Sequence, residues 1–407
     1  MDVTFGKNVL QEAHRLEELG KDPNQIAKIL CEQDRKGYNY GIGIMLDGHG
    51  QAMASSATLL EYVSAELKSS AEGDYMNSAQ LMAKLQEAIL KWQRIPEKYW
   101  KNFQLALPSD SGTGAVQASI EVEFLLNPRL TAIGVESLGW PAYKAMAKVA
   151  RILCQECPTD GVIAEAGVLP IYQASPMNTT GVVHGRDLIQ ARAKSAAARN
   201  AHVILDRAYP GFEYARLVDS HSYDAIMQKS YALQIEPFIE EGVSFSVAIG
   251  PTKSFVTFAL RPCGFLLVYC PDASRQKEVT TVLNTVIRAR GSSFEHAITR
   301  AFVKAFCHDL ARLEAEHEKS LRRLAQAETI WAKLAQGTPV ESLFSDKYAG
   351  LFRNPKSHTD AALHIYNEHL YPVLTKDRCR LNVTGIPFDE QLAKQHVAVF
   401  AQQCYED

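Results

Sequence analysis

Lys253 stands in Pro251-Thr252-Lys253-Ser254, directly after the apolar run SFSVAIG. An amine at the mouth of a sheet, partly desolvated and near other cations, has a lowered pKa and can attack a carbonyl carbon. Asp206 ends the run HVIL, with Tyr209 three residues on, and a carboxylate there can hold a pyridinium nitrogen protonated so that the ring draws electrons from a carbanion. Ser111-Gly112-Thr113-Gly114 precedes the helix-like AVQASIEVEFLL, where backbone N–H groups and the positive end of a helix dipole suit a phosphate. Asn178, in the turn that follows VLPIYQAS, offers an amide to a ring oxygen. Trp140, in Gly139-Trp140-Pro141 after TAIGVES, offers an indole to a flat ring. Arg261, eight residues past Lys253, and Arg380, in RLNVTG, have the fork geometry that pairs with phosphate or carboxylate.

Taken singly, each has a plainer reading. Lysines after strands are mostly solvated, and an aspartate in that place caps a helix or closes a turn. Asn-Thr-Thr-Gly is an ordinary turn, a tryptophan usually packs a core, and an isolated arginine usually lies on the surface. What sets Lys253, Asp206, Asn178 and Trp140 apart is position. They follow apolar runs, and in an open parallel sheet the reactive groups gather beyond the carboxyl ends of the strands.

The elements that must position them are legible from about residue 113 to 271. There, TAIGVES, VLPIYQAS, HVILDRAY, SFSVAIG and GFLLVYC alternate with helical patterns. Runs apolar on successive residues predict strands buried on both faces, joined by right-handed helical crossovers in a mainly parallel α/β sheet. Val279, Val282, Leu283, Val286 and Ile287 share one face of a helix that stops near Gly291. From about 294 to 335 a stretch nearly free of breakers, with Ile298, Phe302, Phe306, Leu310 and Leu313 at helical spacing, predicts one long helix able to bridge two domains.

Composition narrows the class. A chain of 407 residues, 46 % hydrophobic, buries large cores and suggests two or more domains in close contact. A net charge of −3 with scattered Lys and Arg gives no basic stripe, so nucleic acid is not an expected partner. No window reaches about 18 uncharged apolar residues, and MDVTFGKNVLQEAHRLEEL has charges where a secretory signal needs an apolar stretch, so no membrane is expected either. Of the eight cysteines only Cys154 and Cys157 are close, with no second pair or nearby histidine to complete a zinc site. They read as reduced thiols, with no metal and a cytoplasmic address.

In order, these pieces resemble class I aminotransferases of the aspartate and aromatic amino-acid type, members of the fold type I pyridoxal-phosphate enzymes. The likeness runs from about residue 40 to 386. It rests on Asn178-x-Thr-Gly, Asp206-x-x-Tyr209 followed by Gly211-Phe212, Lys253 with Arg261 eight residues on, and Arg380-x-Asn-Val-x-Gly.

The resemblance implies a large domain over 49–310 with a mainly parallel sheet of the seven-stranded type. A smaller α+β domain would be built from both chain ends, 1–48 and 311–407. It implies pyridoxal 5'-phosphate as cofactor, held as a Schiff base by Lys253, which also shuttles the proton between the substrate's α-carbon and the cofactor's C4′. Asp206 would pair with the pyridine nitrogen, Tyr209 and Asn178 with the phenolic oxygen, and Trp140 would stack on the ring. Gly112, Thr113, Thr252 and Arg261 would hold the phosphate. Arg380 would clamp the substrate α-carboxylate, and Gly43 of Tyr40-Gly41-Ile42-Gly43 would border the substrate, which Trp140 and Asn178 would also touch. Tyr75 and Arg288 would cross a two-fold interface, giving a homodimer with shared active sites.

The expected reaction is amino transfer from a dicarboxylic or aromatic L-amino acid to 2-oxoglutarate. The alternatives are a β-elimination-type lyase with the same cofactor, or a non-catalytic binding or regulatory protein on the same fold. The chain departs from the family pattern at Thr179, where proline is usual, at Gly250, where serine is common, and at Ala142, where asparagine is frequent. The stretch between Asp206 and Lys253 is also longer than is typical.

Overall fold

The apolar runs become the inner strands of one large sheet because only a strand covered on both faces tolerates hydrophobic side chains at every position. The structure is a computed structural model that describes residues 3–69, 77–291 and 295–406. Its main sheet comprises β1 (Phe103–Ala106), β2 (Ala132–Glu136), β3 (Leu153–Cys157), β4 (Val168–Gln173), β5 (Val203–Arg207), β6 (Phe245–Ile249) and β7 (Phe265–Tyr269). Their lateral order is β1-β7-β6-β5-β4-β2-β3. The neighbours from β3 across to β6 pair in parallel, and β7 runs antiparallel to both β1 and β6. Alternation along β5 shows the double burial: Val203 and Leu205 enter one core with Val247 and Ile249, while Ile204 enters another with Ala115, Val116 and Ala248.

Helix α1 (Ser111–Leu126) lies across β5, β6 and β7. Helix α2 (Ala142–Ala150) follows β2, and the one-turn α3 (Pro251–Ser254) follows β6. The helix expected to stop near Gly291 is α4 (Ala273–Gly291), which packs on α1.

The single helix expected over 294–335 is instead two, α5 (Ala297–His308) and α6 (Leu310–Leu334). The break is at Asp309, whose backbone leaves helical geometry (φ −129°, ψ 33°) and whose carboxylate accepts the Tyr62 O–H at 3.0 Å.

The two ends of the chain meet beside α6. The short strand Tyr38–Asn39 pairs in parallel with Leu370–Tyr371, and Cys379–Asn382 lies between Phe352–Arg353 and Val373–Leu374. Helix α6 fastens them. Arg323 donates to the carbonyls of Leu46 (2.6 Å) and Thr384 (2.8 Å), and Trp331 Nε1 donates to Val383 O (3.0 Å). Glu328, fully buried, pairs with Arg353 at 2.7 Å and Arg216 at 3.0 Å. All eight cysteines are unbridged, and among the described residues no helix is long and apolar enough to cross a membrane.

Candidate active site

The carboxyl ends of β2, β4, β5 and β6 open onto a cavity of about 220 Å³ lined by Trp140, Gln173, Asn178, Asp206, Tyr209 and Lys253 among others. Ser111, Gly112, Thr113, Gly250 and Thr252 complete its wall.

That wall is the start of α1. Asp110 and Ser111 both take positive φ (67° and 55°) where the chain turns into the helix, and the first helical residues, Ser111, Gly112 and Thr113, line the cavity. Glycine is required at Gly114, where a Cβ would lie 1.5 Å from Ser109 O. A Cβ on Gly112 would come within 3.2 Å of Gly250 Cα, so two bare backbones meet there. The serine common at position 250 would have to enter this contact. Ser111 Oγ and Thr252 Oγ1 bond at 2.7 Å beside it.

Lys253 sits in the single turn of α3. Its Nζ donates to Gly43 O at 2.6 Å and lies 4.6 Å from the Phe258 ring centre. Burial, reinforced by the positive charge of Arg380, brings its pKa down to about 8, so a substantial neutral fraction exists near physiological pH. Asp206, 6 % exposed, accepts the Tyr143 O–H at 2.6 Å, and burial pushes its carboxyl up to about 6 in spite of that bond. Burial and the Asp206 charge raise the Tyr209 phenol, with Arg380 and the Asn178 amide acting the other way.

Asn178 is held from behind. Gln173 Oε1 accepts its N–H at 3.0 Å and Gln173 Nε2 donates to its carbonyl at 3.1 Å, while Asn178 Oδ1 is buried without a partner. Arg380 lies over the Phe352 ring at 4.7 Å and donates through Nη2 to Asn24 Oδ1 (2.7 Å) and Gly41 O (2.8 Å), leaving Nε buried and unpaired. Gly43 is next to both groups: a Cβ there would stand 3.5 Å from Phe352 and 3.9 Å from Lys253 Nζ.

Such a site can bond an aldehyde through its amine, hold a cationic ring nitrogen on its carboxylate, and seat an anion on the start of α1. The model for the family described as "Aminotransferase class I and II" matches residues 49–342. The chain belongs to the class I and II aminotransferases.

Solved structures share the fold of this aminotransferase at low sequence identity. The aromatic-amino-acid aminotransferase of Burkholderia pseudomallei, covalently bound to pyridoxal phosphate, superposes with a TM-score of 0.77 at 18 % identity over 93 % of this chain and 96 % of that one. The aspartate aminotransferase of Plasmodium falciparum gives 0.75 at 18 % over 94 % and 97 %. The broad specificity aminotransferase of Leishmania mexicana gives 0.73 at 16 % over 94 % and 95 %. No curated protein sequence matches the chain.

Of the residues picked out from the sequence, Gly112, Thr113, Trp140, Asn178, Asp206, Tyr209, Thr252 and Lys253 converge on the cavity of the aminotransferase. Gly43 bonds Lys253 through its carbonyl, and the charge of Arg380 is felt at Lys253. Arg261 does not line the cavity; it lies exposed at the rim with φ 43°, its Nε 3.2 Å from Asp110 Oδ1. Arg288 is exposed on α4, and Tyr75 lies outside the described residues. The site also includes Ser111, Gln173 and Tyr143, which sequence position alone does not single out. Ser111 was visible inside the Ser-Gly-Thr-Gly motif. Gln173 ends a strand and Tyr143 follows the Trp-Pro pair by two positions, but only the fold brings them to Asn178 and Asp206.

Proposed function

We propose that this aminotransferase binds pyridoxal 5'-phosphate in the cavity, bonded to Lys253, and moves the amino group of a dicarboxylic or aromatic L-amino acid to 2-oxoglutarate. The observation that carries this reading is the convergence of Lys253, Asp206, Asn178, Tyr209, Trp140 and the start of α1 on one 220 Å³ space. The residues fit the group. Asn178 Oδ1 is buried and unpaired, and the contact of Gly112 with Gly250 keeps side chains out of an anion cradle.

When bound, the cofactor supplies an aldehyde that bonds amines and a cationic ring that draws electrons from the carbon bearing the nitrogen. Lys253 Nζ would bond the aldehyde and would serve as the base that moves the proton of the substrate's α-carbon; its lowered pKa suits a base at neutral pH. Asp206 would pair with the ring N–H, Tyr209 and Asn178 with the phenolic oxygen, and Trp140 would stack on the ring. Ser111, Gly112, Thr113 and Thr252 would hold the phosphate, with Arg261 beside them at the rim. Arg380, anchored by Asn24 and Gly41, receives the α-carboxylate on its remaining donors.

The same reading gives a homodimer in which Tyr75 and Arg288 serve the neighbouring site; exposure of Arg288 outside its own cavity supports it. It also gives a large domain over 49–310 and a small one from 1–48 and 311–407, supported by the helix break at Asp309. A cytoplasmic address is supported by eight unbridged cysteines.

The test is a half-reaction screen of the loaded enzyme with L-aspartate, L-glutamate, L-tyrosine, L-phenylalanine and L-alanine. Loss of the cofactor's visible band with at least one acidic or aromatic amino acid is expected. An unchanged spectrum with all five would overturn the proposal.

A further inference from the structure

Tyr143 is in no expected role, yet it touches two walls of the cavity at once. It lies in the first turn of α2, 2 % exposed. Its O–H donates to Asp206 Oδ2 at 2.6 Å, and its ring meets the Trp140 indole edge-on, with centres 5.4 Å apart and planes at 83°. Among the described residues no other hydrogen bond reaches the Asp206 carboxylate.

We infer that Tyr143 is a positioning residue that keeps Asp206 ionised and aimed into the cavity by donating a hydrogen bond from a group that carries no charge of its own.

The type of partner matters. A cation in this place would neutralise the carboxylate and compete with a cationic ring nitrogen for it. A second carboxylate would drive one of the pair to take a proton. A phenol favours the anion by hydrogen bonding alone, and Tyr143 stays protonated because burial, with the Asp206 charge beside it, raises its own pKa well above the usual value. The bond to Oδ2 also fixes the carboxylate's rotation, which leaves the other oxygen for the cavity.

The remaining neighbours cannot substitute. Beside Asp206 the strands β4 and β6 place Gln173 and Ala248, and α1 adds Ser111, Gly112 and Thr113 to the same cavity, none of them titratable. The titratable groups facing the pair are Tyr209, just beyond β5, Glu136 at the end of β2, and Lys253 from α3. Arg380 acts from farther off, through Tyr209 and Lys253. Of these, Tyr209 and Glu136 disfavour more negative charge, and Lys253 is committed to the amine chemistry.

The inference rests on the assignment of Asp206 to the ring nitrogen, and the test separates the two. The dissociation constant for pyridoxal phosphate is measured from pH 5 to 9 on cofactor-stripped wild type, Tyr143→Phe, Asp206→Asn and the double variant. Phenylalanine keeps the ring against Trp140 and removes only the O–H. Wild type should bind more tightly as pH rises through about 6, the pKa of Asp206. Tyr143→Phe should move that midpoint up by about one pH unit or more, weakening affinity about threefold near pH 6.5 and roughly tenfold near pH 5, the size of a hydrogen bond to a charged group. In the Asp206→Asn background the same change should alter affinity less than about twofold. Lys253 and the cofactor phosphate titrate in every variant, so the comparison cancels them. An unmoved midpoint in Tyr143→Phe, with Asp206→Asn still weak, overturns the role of Tyr143 alone. Asp206→Asn binding as tightly as wild type overturns both assignments.

Discussion

Replacing Lys253 by methionine should make the cofactor-free protein more stable while removing its transamination. Lys253 is a half-buried cation whose nearest charged influence is another cation, Arg380, and its one hydrogen bond goes to a neutral carbonyl, Gly43 O. The drop from 10.5 to about 8 means that the folded state disfavours the charged amine by about 3 kcal/mol, at about 1.4 kcal/mol per pKa unit. Partial exposure to solvent and the lost bond to Gly43 reduce the expected gain from methionine to about 1–2 kcal/mol. The pH dependence identifies the cause. Below pH 8 both folded and unfolded wild type hold the proton and the penalty is full. Between 8 and 10.5 only the unfolded chain keeps it, so wild-type stability rises with pH, and above 10.5 the penalty is gone. Urea unfolding of the cofactor-free proteins at pH 7 and pH 10 measures it. A variant less stable than wild type at pH 7, or an advantage equal at both pH values, would refute the reasoning.

Other changes have outcomes set by the same geometry. Glu328→Ala leaves Arg353 buried without its counter-charge and should lower unfolding free energy by about 3–5 kcal/mol; a shift in the urea midpoint equivalent to under about 1 kcal/mol would contradict it. Arg380→Lys keeps the charge but loses the fork, and the half-reaction rate constant kcat/KM should fall roughly ten- to hundredfold; an unchanged value would count against carboxylate binding there. Gly114→Ala forces a methyl onto Ser109 O and should cost about 1–3 kcal/mol in stability together with weaker cofactor binding, read by thermal unfolding and cofactor titration.

The inner strands and the residues just past them were legible because burial on both faces leaves an apolar run and because reactive groups collect at strand ends. The edges of the sheet were not. β3 (LCQEC) is largely exposed and carries polar residues, and β1 (FQLA) has only four residues, of which Gln104 and Leu105 are half-covered; neither offers an apolar run. The division at Asp309 was hidden because Phe306, Leu310 and Leu313 keep helical spacing across it and no glycine or proline marks it; what accompanies the break is a tertiary bond from Tyr62 to the Asp309 carboxylate. Lys253, Asp206 and Asn178 could be chosen from sequence because they sit beyond strands. Tyr143 and Gln173 act on them from positions whose meaning depends on the phase of a helix and the last residue of a strand, and only packing sets those.

The central claim is that Lys253 bonds the cofactor, and it is tested most directly by reducing the loaded enzyme with borohydride and mapping the modified peptide by mass spectrometry. The account predicts a phosphopyridoxyl group on Lys253, in the peptide that contains Pro251-Thr252-Lys253-Ser254. A phosphopyridoxyl group on any other lysine, or loaded enzyme with Lys253 unmodified, would contradict it.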